Sequence, residues 1–272
     1  MTETTSRSGP SEARSPLRSV ALPAEHGGWG LTLEPGLLGL LLAPSPAGLC
    51  IAAGAMVAFL VRTPLKIVAV DRRRGRTLGR THLAAKVAAV ELVVLAALAG
   101  SALVLAEPWF WVPGVVALPL LVTEGWFEVR SRGRRLVPEL AGAIGVCSVA
   151  AMVVLAGGGG ARLAAGAWII LAARVATSIP HVRSQIARLH QRPSQARTAL
   201  AGDLAAIGFV AVAVFLDRDL WAGGLAVLIV IAIQRAAATR PVPRPVTLGL
   251  RQMAMGFGIV IATAAGIAVS AT

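Results

Sequence analysis

The sequence predicts an all-α polytopic membrane protein with about nine transmembrane helices. Of its 272 residues, 56% are hydrophobic and 14% are charged, and the mean hydropathy is +0.74. Soluble domains are nearer ~25% charged. Apolar runs of about 17–25 residues, the length that crosses a bilayer as a helix, recur from end to end. Alternation of period two, which would indicate a β-barrel, is absent.

The spans are predicted in chain order at about 28–44, 47–70, 81–105, 109–127, 136–156, 162–180, 199–216, 219–237 and 249–270. A polar Ser/Arg/Pro-rich tail at residues 1–20 is predicted to be disordered. Residues 21–272 then form a single transmembrane domain. Proline is expected to break the helix at Pro64 and to kink or end it at Pro180.

The basic residues predict the orientation. Of the 26 Lys and Arg, 22 fall in five segments that precede alternate spans, and the intervening connections carry few. This positive-inside pattern places the N-terminus inside and the C-terminus outside. The net charge of +13 therefore indicates topology and contact with anionic lipids of the inner face, and not binding to nucleic acid.

The first span begins with an unusual polar stretch. Glu25, His26 and Trp29 lie at its start, and Glu34 lies inside it. Ionisable residues in membrane spans are costly to bury and often mark functional sites. We predict His26 or Glu34 as a proton acceptor, and Glu25 and Trp29 as ligand contacts. The alternative is that His26 and Trp29 are interfacial anchors and Glu25 is a solvated helix cap.

The second and third spans add further charges. Arg62 and Lys66 are four residues apart and share one face of a helix. Lys86 and Glu91 lie in the third span, and each is expected to need a partner from another span. Arg62 and Lys66 could instead reach the lipid headgroups without any further role.

The sixth span and its exit form a polar stripe if the helix continues. The spacing places these residues on one face: Arg174, Thr177, Ser178, His181, Gln185 and Arg188. Arg174, His181 and the nearby Arg183 are predicted to bind a ligand. An alternative role for Arg174 is to bond carbonyl groups of a neighbouring helix.

Together these residues predict a basic cavity near the inner leaflet. Arginine and lysine side chains that converge in a half-buried site suit phosphate, diphosphate or carboxylate. The acidic side chains Glu25, Glu34, Glu91 and Glu124 would supply counter-charges. The four histidines have no metal-ligand spacing, and Cys50 and Cys147 lie inside predicted spans, so we predict neither a metal site nor a disulfide framework.

The motifs resemble those of the bacterial YwiC-like membrane protein family. The resemblance rests on three stretches: Glu25-His26-Gly27-Gly28-Trp29, the segment from Arg62 to Lys66 with Asp71 to Gly75, and Arg174 followed by His181 to Gln185. It covers most of the chain from about residue 20. It implies a multi-pass protein of the bacterial cytoplasmic membrane and no particular activity.

The predicted architecture is also similar to that of UbiA-type prenyltransferases. In that superfamily, aspartate-rich loops after the second and sixth spans hold Mg²⁺ and a prenyl diphosphate. Here the first loop has Asp71 alone among arginines, and the segment from His181 to Arg197 has no acidic residue. Because Mg²⁺ needs carboxylate ligands, Asp71 is only a weak metal candidate and a Mg²⁺ cofactor is not favoured.

Three functions follow from the sequence. The first is binding of an anionic amphiphile, such as an isoprenoid or lipid phosphate, and the sequence leaves open whether transferase chemistry accompanies it. The second is a proton-coupled transporter of a small anion. The third is a membrane partner protein without chemistry of its own. The sequence does not decide among them, nor does it predict the oligomeric state.

Overall fold

A computed structural model describes residues 16–22, 26–76, 78–130 and 135–270. Within these ranges the chain is helical and has no strand. A short helix, α1 (Pro16–Ala21), precedes nine longer ones. These are α2 (His26–Leu42), α3 (Pro46–Arg73), α4 (Gly79–Leu105), α5 (Val112–Val129), α6 (Leu136–Ala156), α7 (Ala161–Leu189), α8 (Ala196–Leu216), α9 (Trp221–Ala238) and α10 (Pro245–Ser270).

The all-α polytopic fold is confirmed. In the described chain, eight helices, α3 to α10, are long and apolar enough to cross a membrane, and the first predicted span is a shorter apolar helix at Gly28–Leu42. Each of the nine predicted spans therefore coincides with a helix. The N-terminal tail is predicted at residues 1–20, of which 1–15 lie outside the described residues.

Proline ends neither α3 nor α7. α3 continues through Pro64 to Arg73, and α7 continues through Pro180 to Leu189. The expected break at Pro64 is therefore wrong. In a packed bundle, neighbouring helices and local adjustments compensate for the hydrogen bond that proline cannot make. As a result, the polar stripe of the sixth span lies on one unbroken helix.

The α7 helix is the centre of the bundle. It packs against α6 and α8 and also contacts α2, α9 and α10, and most of its residues are buried. The core around it is made of small and branched side chains, among them Ile170, Leu171, Ala173 and Val175. Small residues let membrane helices approach closely. In contrast, α4 and α5 lie at the periphery, where few of their side chains are buried.

Consecutive long helices run in opposite directions, so α3, α5, α7 and α9 end at one end of the bundle. We call this the mouth end and the opposite one the far end. Arg73 at the end of α3 donates to the carbonyl of Val129 at the end of α5, and Arg188 in α7 donates to the carbonyl of Ala238 at the end of α9. The basic segments that follow α3, α7 and α9 lie at the mouth end, which the positive-inside pattern assigns to the inner face.

Candidate functional site

A cavity of about 1020 Å³ lies between α2, α3, α5, α6, α7 and α10. Its wall is mostly apolar, with Phe59, Leu121 and Met152 among the larger side chains. Ligand cavities are typically apolar with a few polar groups placed among them. Seven charged residues complete the lining: Arg62, Lys66, Glu124, Glu128, Arg135, Glu139 and Arg174.

Ion pairs between α3 and α5 form one side of the mouth. The Nε of Arg62 lies 2.7 Å from Oε2 of Glu128, and its Nη2 lies 2.7 Å from Oε1 of Glu124. Lys66 adds a third pair, with its Nζ 3.1 Å from Oε1 of Glu128. The four-residue spacing on each helix aligns the two basic groups with the two acidic groups.

The other side of the mouth lies between α6 and α7. Nη1 of Arg183 donates to Oε2 of Glu139 over 2.8 Å. Glu139 lines the cavity, whereas Arg183 approaches Glu139 from outside the lining. Arg135, just before α6, also lines the cavity, and its side chain has no ion-pair partner among the described residues.

The deep end of the cavity contains a buried ion pair. Nη2 of Arg174 lies 2.9 Å from Oε1 of Glu34 and donates to the backbone carbonyl of Gln252 over 3.0 Å. Arg174 is 4% exposed and Glu34 is 1% exposed. Because an unpaired buried charge is far more costly than a paired one, each residue requires the other. Arg174 lines the cavity, and Glu34 lies behind it.

Glycine makes room for these carboxylates. A Cβ atom at Gly256 of α10 would lie 1.9 Å from Oε1 of Glu34, and one at Gly142 of α6 would lie 2.1 Å from the carboxylate of Glu124. Any larger residue at either position would displace the carboxylate. The two glycines therefore set the positions of acidic groups on neighbouring helices.

A second polar cluster lies behind the cavity, between α7, α8, α9 and α10. The Thr177 hydroxyl donates to Oδ1 of Asp203 over 2.5 Å and lies 3.0 Å from Oε1 of Gln234. The Gln234 amide nitrogen lies 3.3 Å from both the Ser178 hydroxyl and the Gln252 side-chain oxygen. Arg235 forms an ion pair with Oδ2 of Asp203.

These contacts join the two polar regions into one network. Gln252 accepts from Arg174 through its backbone carbonyl and contacts Gln234 through its side chain. Ser178 both lines the cavity and contacts Gln234. Hydrogen bonds therefore run from the partly exposed Arg235 through the bundle to the Arg174–Glu34 pair. Such networks fix side-chain positions when their members are paired.

The structure brings together part of the predicted site. Arg62, Lys66 and Arg174 line one cavity, and Glu34 and Arg183 each pair with a residue of its wall. The Trp29 ring packs edge to face against Phe59, a cavity residue, with ring centroids 5.4 Å apart. Their roles as ligand contacts remain predictions.

Other predicted residues lie elsewhere. Lys86 and Glu91 are on the peripheral helix α4, away from the cavity lining, and no partner among the described residues bonds Oε2 of Glu91. His181 is buried in α7 but does not line the cavity. Glu25 lies outside the described residues, as does the side chain of His26, so their predicted roles have no structural counterpart here.

Asp71, the weak metal candidate, joins α3 to α4. Its Oδ1 accepts from Nη2 of Arg80 over 2.9 Å, and its Oδ2 accepts from the Thr81 hydroxyl over 2.7 Å. The carboxylate is buried by these contacts and lies away from the cavity lining. Within the described ranges, no three His, Cys, Asp or Glu residues are grouped in a way that could hold a metal ion.

Five polar residues of this arrangement were not predicted from the sequence: Glu128, Glu139, Asp203, Gln234 and Gln252. A usable signal existed for three of them. Glu128 lies four residues after Glu124, and the spacing puts both carboxylates on one helix face. Asp203 and Gln234 are isolated polar residues within apolar spans, which is itself an indication of a buried polar partner.

The model of the YwiC-like protein family matches residues 22–154. No curated protein and no solved structure matches the chain. The predicted likeness to the UbiA-type architecture therefore stays a prediction. The matched region contains Glu34, both sides of the α3–α5 ion pairs and Glu139, and it ends before Arg174. Over residues 22–154, this membrane protein is similar to the YwiC-like protein family.

Proposed function

We propose that the cavity binds an amphiphile with an anionic phosphate head and an isoprenoid or acyl tail. The observation that carries this proposal is the division of one cavity into a charged mouth and apolar walls. A phosphate head would lie among the basic groups of the mouth, and the tail would lie along the walls. Burial of the tail against the apolar walls contributes to affinity through the hydrophobic effect. Hydrogen bonds between the basic side chains and the phosphate head add to that affinity.

The charges at the mouth favour a monophosphate head over a more highly charged diphosphate. Four basic side chains, those of Arg62, Lys66, Arg135 and Arg183, face three acidic ones, those of Glu124, Glu128 and Glu139. The acidic groups therefore offset most of the basic character that the sequence predicted. Lys66 uses one of its three donors in the described contacts, so it can bond a phosphate while keeping Glu128.

Closure of the far end supports entry from the mouth end. Gly39 and Gly48 bring α2 and α3 so close to Val153 of α6 that a Cβ atom at either glycine would lie within 2.8 Å of that side chain. Gly157 approaches Ala43 in the same way. A ligand would therefore enter from the mouth end, which is the predicted inner face.

The geometry gives Glu34 an indirect role. Its carboxylate bonds Arg174 and does not line the cavity, so it would hold Arg174 in place instead of meeting a ligand. Binding of an amphiphile needs no more than the described groups. Transferase chemistry would need an additional acid–base group beside the head, and His26, whose side chain lies outside the described residues, is the predicted one.

Proton-coupled transport of a small anion is the second candidate function. The observation that favours it is the hydrogen-bonded network from Arg235 through Asp203 and Gln234 to the Arg174–Glu34 pair. Intramembrane carboxylates that are linked by such networks are typical of proton relays. Transport would also need the far end to open.

Binding of farnesyl phosphate tests the first proposal. The purified protein in phosphatidylcholine nanodiscs would be titrated with farnesyl phosphate and with farnesyl diphosphate, in Mg²⁺ and in EDTA. We expect saturable binding of the monophosphate that persists in EDTA. Lys66→Gln and Arg135→Gln should each weaken it by about tenfold to a hundredfold, because each removes a charged donor worth about 1.5–3 kcal/mol.

Arg197→Gln is the matched control, since Arg197 is an exposed arginine at the start of α8, outside the cavity lining. It should leave binding unchanged. The proposal fails if neither ligand binds, or if the control weakens binding as much as the cavity variants do. Anion uptake into proteoliposomes without farnesyl phosphate binding would favour the transporter, and the absence of both would favour a membrane partner protein.

A further inference from the structure

The deep end of the cavity has more hydrogen-bond donors than the protein uses. Arg174 lines the cavity and is 4% exposed, and its Nε has no hydrogen-bond partner among the described residues. Ser148 also lines the cavity and is 2% exposed, and no hydrogen bond of its hydroxyl is found within the described chain. A buried donor without an acceptor costs about 1–3 kcal/mol, so Arg174 Nε is suited to an acceptor that enters the cavity. The Ser148 hydroxyl of the same lining can supply a second donor.

Helix register places these two groups at the same depth. Arg183 and Glu139 meet at the mouth, 2.8 Å apart, on the antiparallel helices α7 and α6. Arg174 and Ser148 each lie about nine residues from that pair toward the far end, which corresponds to about 13 Å of helical rise. Both residues line the cavity, so a ligand that reaches this depth passes both of them.

The charge balance selects the kind of acceptor. The positive charge of Arg174 is already compensated by Glu34, whose carboxylate lies 2.9 Å away. A second anion would have to be desolvated beside that carboxylate, which is unfavourable in a buried site. A neutral oxygen meets the donors without this cost.

We infer that Arg174 and Ser148 form a subsite for a neutral carbonyl oxygen at the deep end of the cavity. The inference rests on the proposed function in that the same cavity receives the ligand. The carbonyl can belong to the chain of the amphiphile or to a separate small molecule that binds beside it. Both sources present the same chemistry to Arg174 Nε and to the Ser148 hydroxyl.

Matched ligands distinguish the two sources. The first two probes are dodecyl phosphate and a dodecyl phosphate that carries a ketone about ten carbons from the phosphate. This spacing matches the depth of ~13 Å between the mouth and Ser148. The third probe is 2-heptanone, tested alone and in the presence of dodecyl phosphate. Binding to the protein in nanodiscs would be measured for wild type, Ser148→Ala and Arg174→Lys. The lysine keeps a cation beside Glu34 but lacks the Nε donor.

We expect the ketone to tighten phosphate binding by about fivefold to tenfold in the wild type, as one buried hydrogen bond does. This gain should disappear in Ser148→Ala and in Arg174→Lys and persist in Ser101→Ala, a control on the lipid-facing side of α4. Ser148-dependent binding of 2-heptanone that survives dodecyl phosphate would support a separate small molecule as the source.

Equal binding of the two phosphates, together with 2-heptanone binding that does not depend on Ser148, would overturn the subsite. That result would leave the proposed function intact, since dodecyl phosphate would still bind. Failure of both phosphates to bind would instead contradict the proposed function. In that case the binding of 2-heptanone tests the subsite by itself. Binding that depends on Ser148 would support the subsite, and the lack of such binding would overturn it.

Discussion

Arg174 and Glu34 form an ion pair across the centre of the bundle, with Nη2 of the arginine 2.9 Å from Oε1 of the glutamate. One residue comes from α2 and the other from α7, 140 positions apart in the chain. The pair fixes the contact between the N-terminal and central helices. The Nε of Arg174 has no hydrogen-bond partner in the described chain.

Neutralising one member of this pair should destabilise the protein. In Glu34→Gln the buried guanidinium loses its counter-charge, and we expect the free energy of unfolding to fall by about 3–5 kcal/mol. In the double variant Glu34→Gln with Arg174→Gln, much of that loss should be recovered, because no buried charge is left unpaired. Unfolding in detergent measures both. Equal destabilisation of the single and double variants would contradict this account.

Gly256 should be far less tolerant of alanine than its neighbour Gly258. A methyl group at Gly256 would meet the buried carboxylate of Glu34, whereas nothing lies within 4 Å of the Cβ position at Gly258. Overpacking a buried site costs about 1–3 kcal/mol. The midpoint of thermal unfolding should therefore fall in Gly256→Ala and stay close to wild type in Gly258→Ala. Similar midpoints for both variants would mean that Glu34 can move away freely.

Asp203 should contribute to stability although it lies outside the cavity lining. Its carboxylate is buried, and it accepts hydrogen bonds from Thr177 and Arg235. Asp203→Asn weakens both charge-assisted bonds, and we expect a loss of about 1.5–3 kcal/mol in chemical unfolding. Asp219→Asn is the control, because Asp219 is exposed near the start of α9. An equal, small effect of the two substitutions would show that the buried network is not important for stability.

The orientation of the bundle can be tested with topology reporters. The positive-inside pattern predicts that the mouth end faces the cytoplasm. Alkaline phosphatase fused after Thr272 should be active, and green fluorescent protein at the same position should be dark. Fusions after Arg192 should give the opposite result. The reverse pattern at both positions would place the cavity mouth at the outer face.

The helices could be predicted from the sequence because the signal is local. Apolar runs of sufficient length define each span, and the observed helices coincide with the nine predicted ones. The exception was the helix break expected at Pro64. Whether a proline ends a helix depends on which neighbours compensate for its missing hydrogen bond, and those neighbours are distant in sequence.

The site could be predicted only in part, for a related reason. Arg62, Lys66 and Arg174 were found because cations inside spans are unusual. The acidic residues that pair with them come from other helices, and their identity depends on how the bundle is assembled. The pairing of Arg62 with Glu128 requires α3 to lie beside α5, which no local pattern indicates. Lys86 was predicted from the same local signal as Arg62, but α4 is peripheral and does not reach the cavity.

The close contacts of Gly39, Gly48 and Gly157 at the far end also determine how quickly the cavity could open there. These contacts bring backbone against neighbouring side chains, so no single side chain can swing aside to make a passage. Rotamer changes take picoseconds to nanoseconds, but displacement of whole helices takes microseconds to milliseconds. Exchange of a bound molecule across the far end would therefore be a slow event that requires helices α2, α3 and α6 to separate.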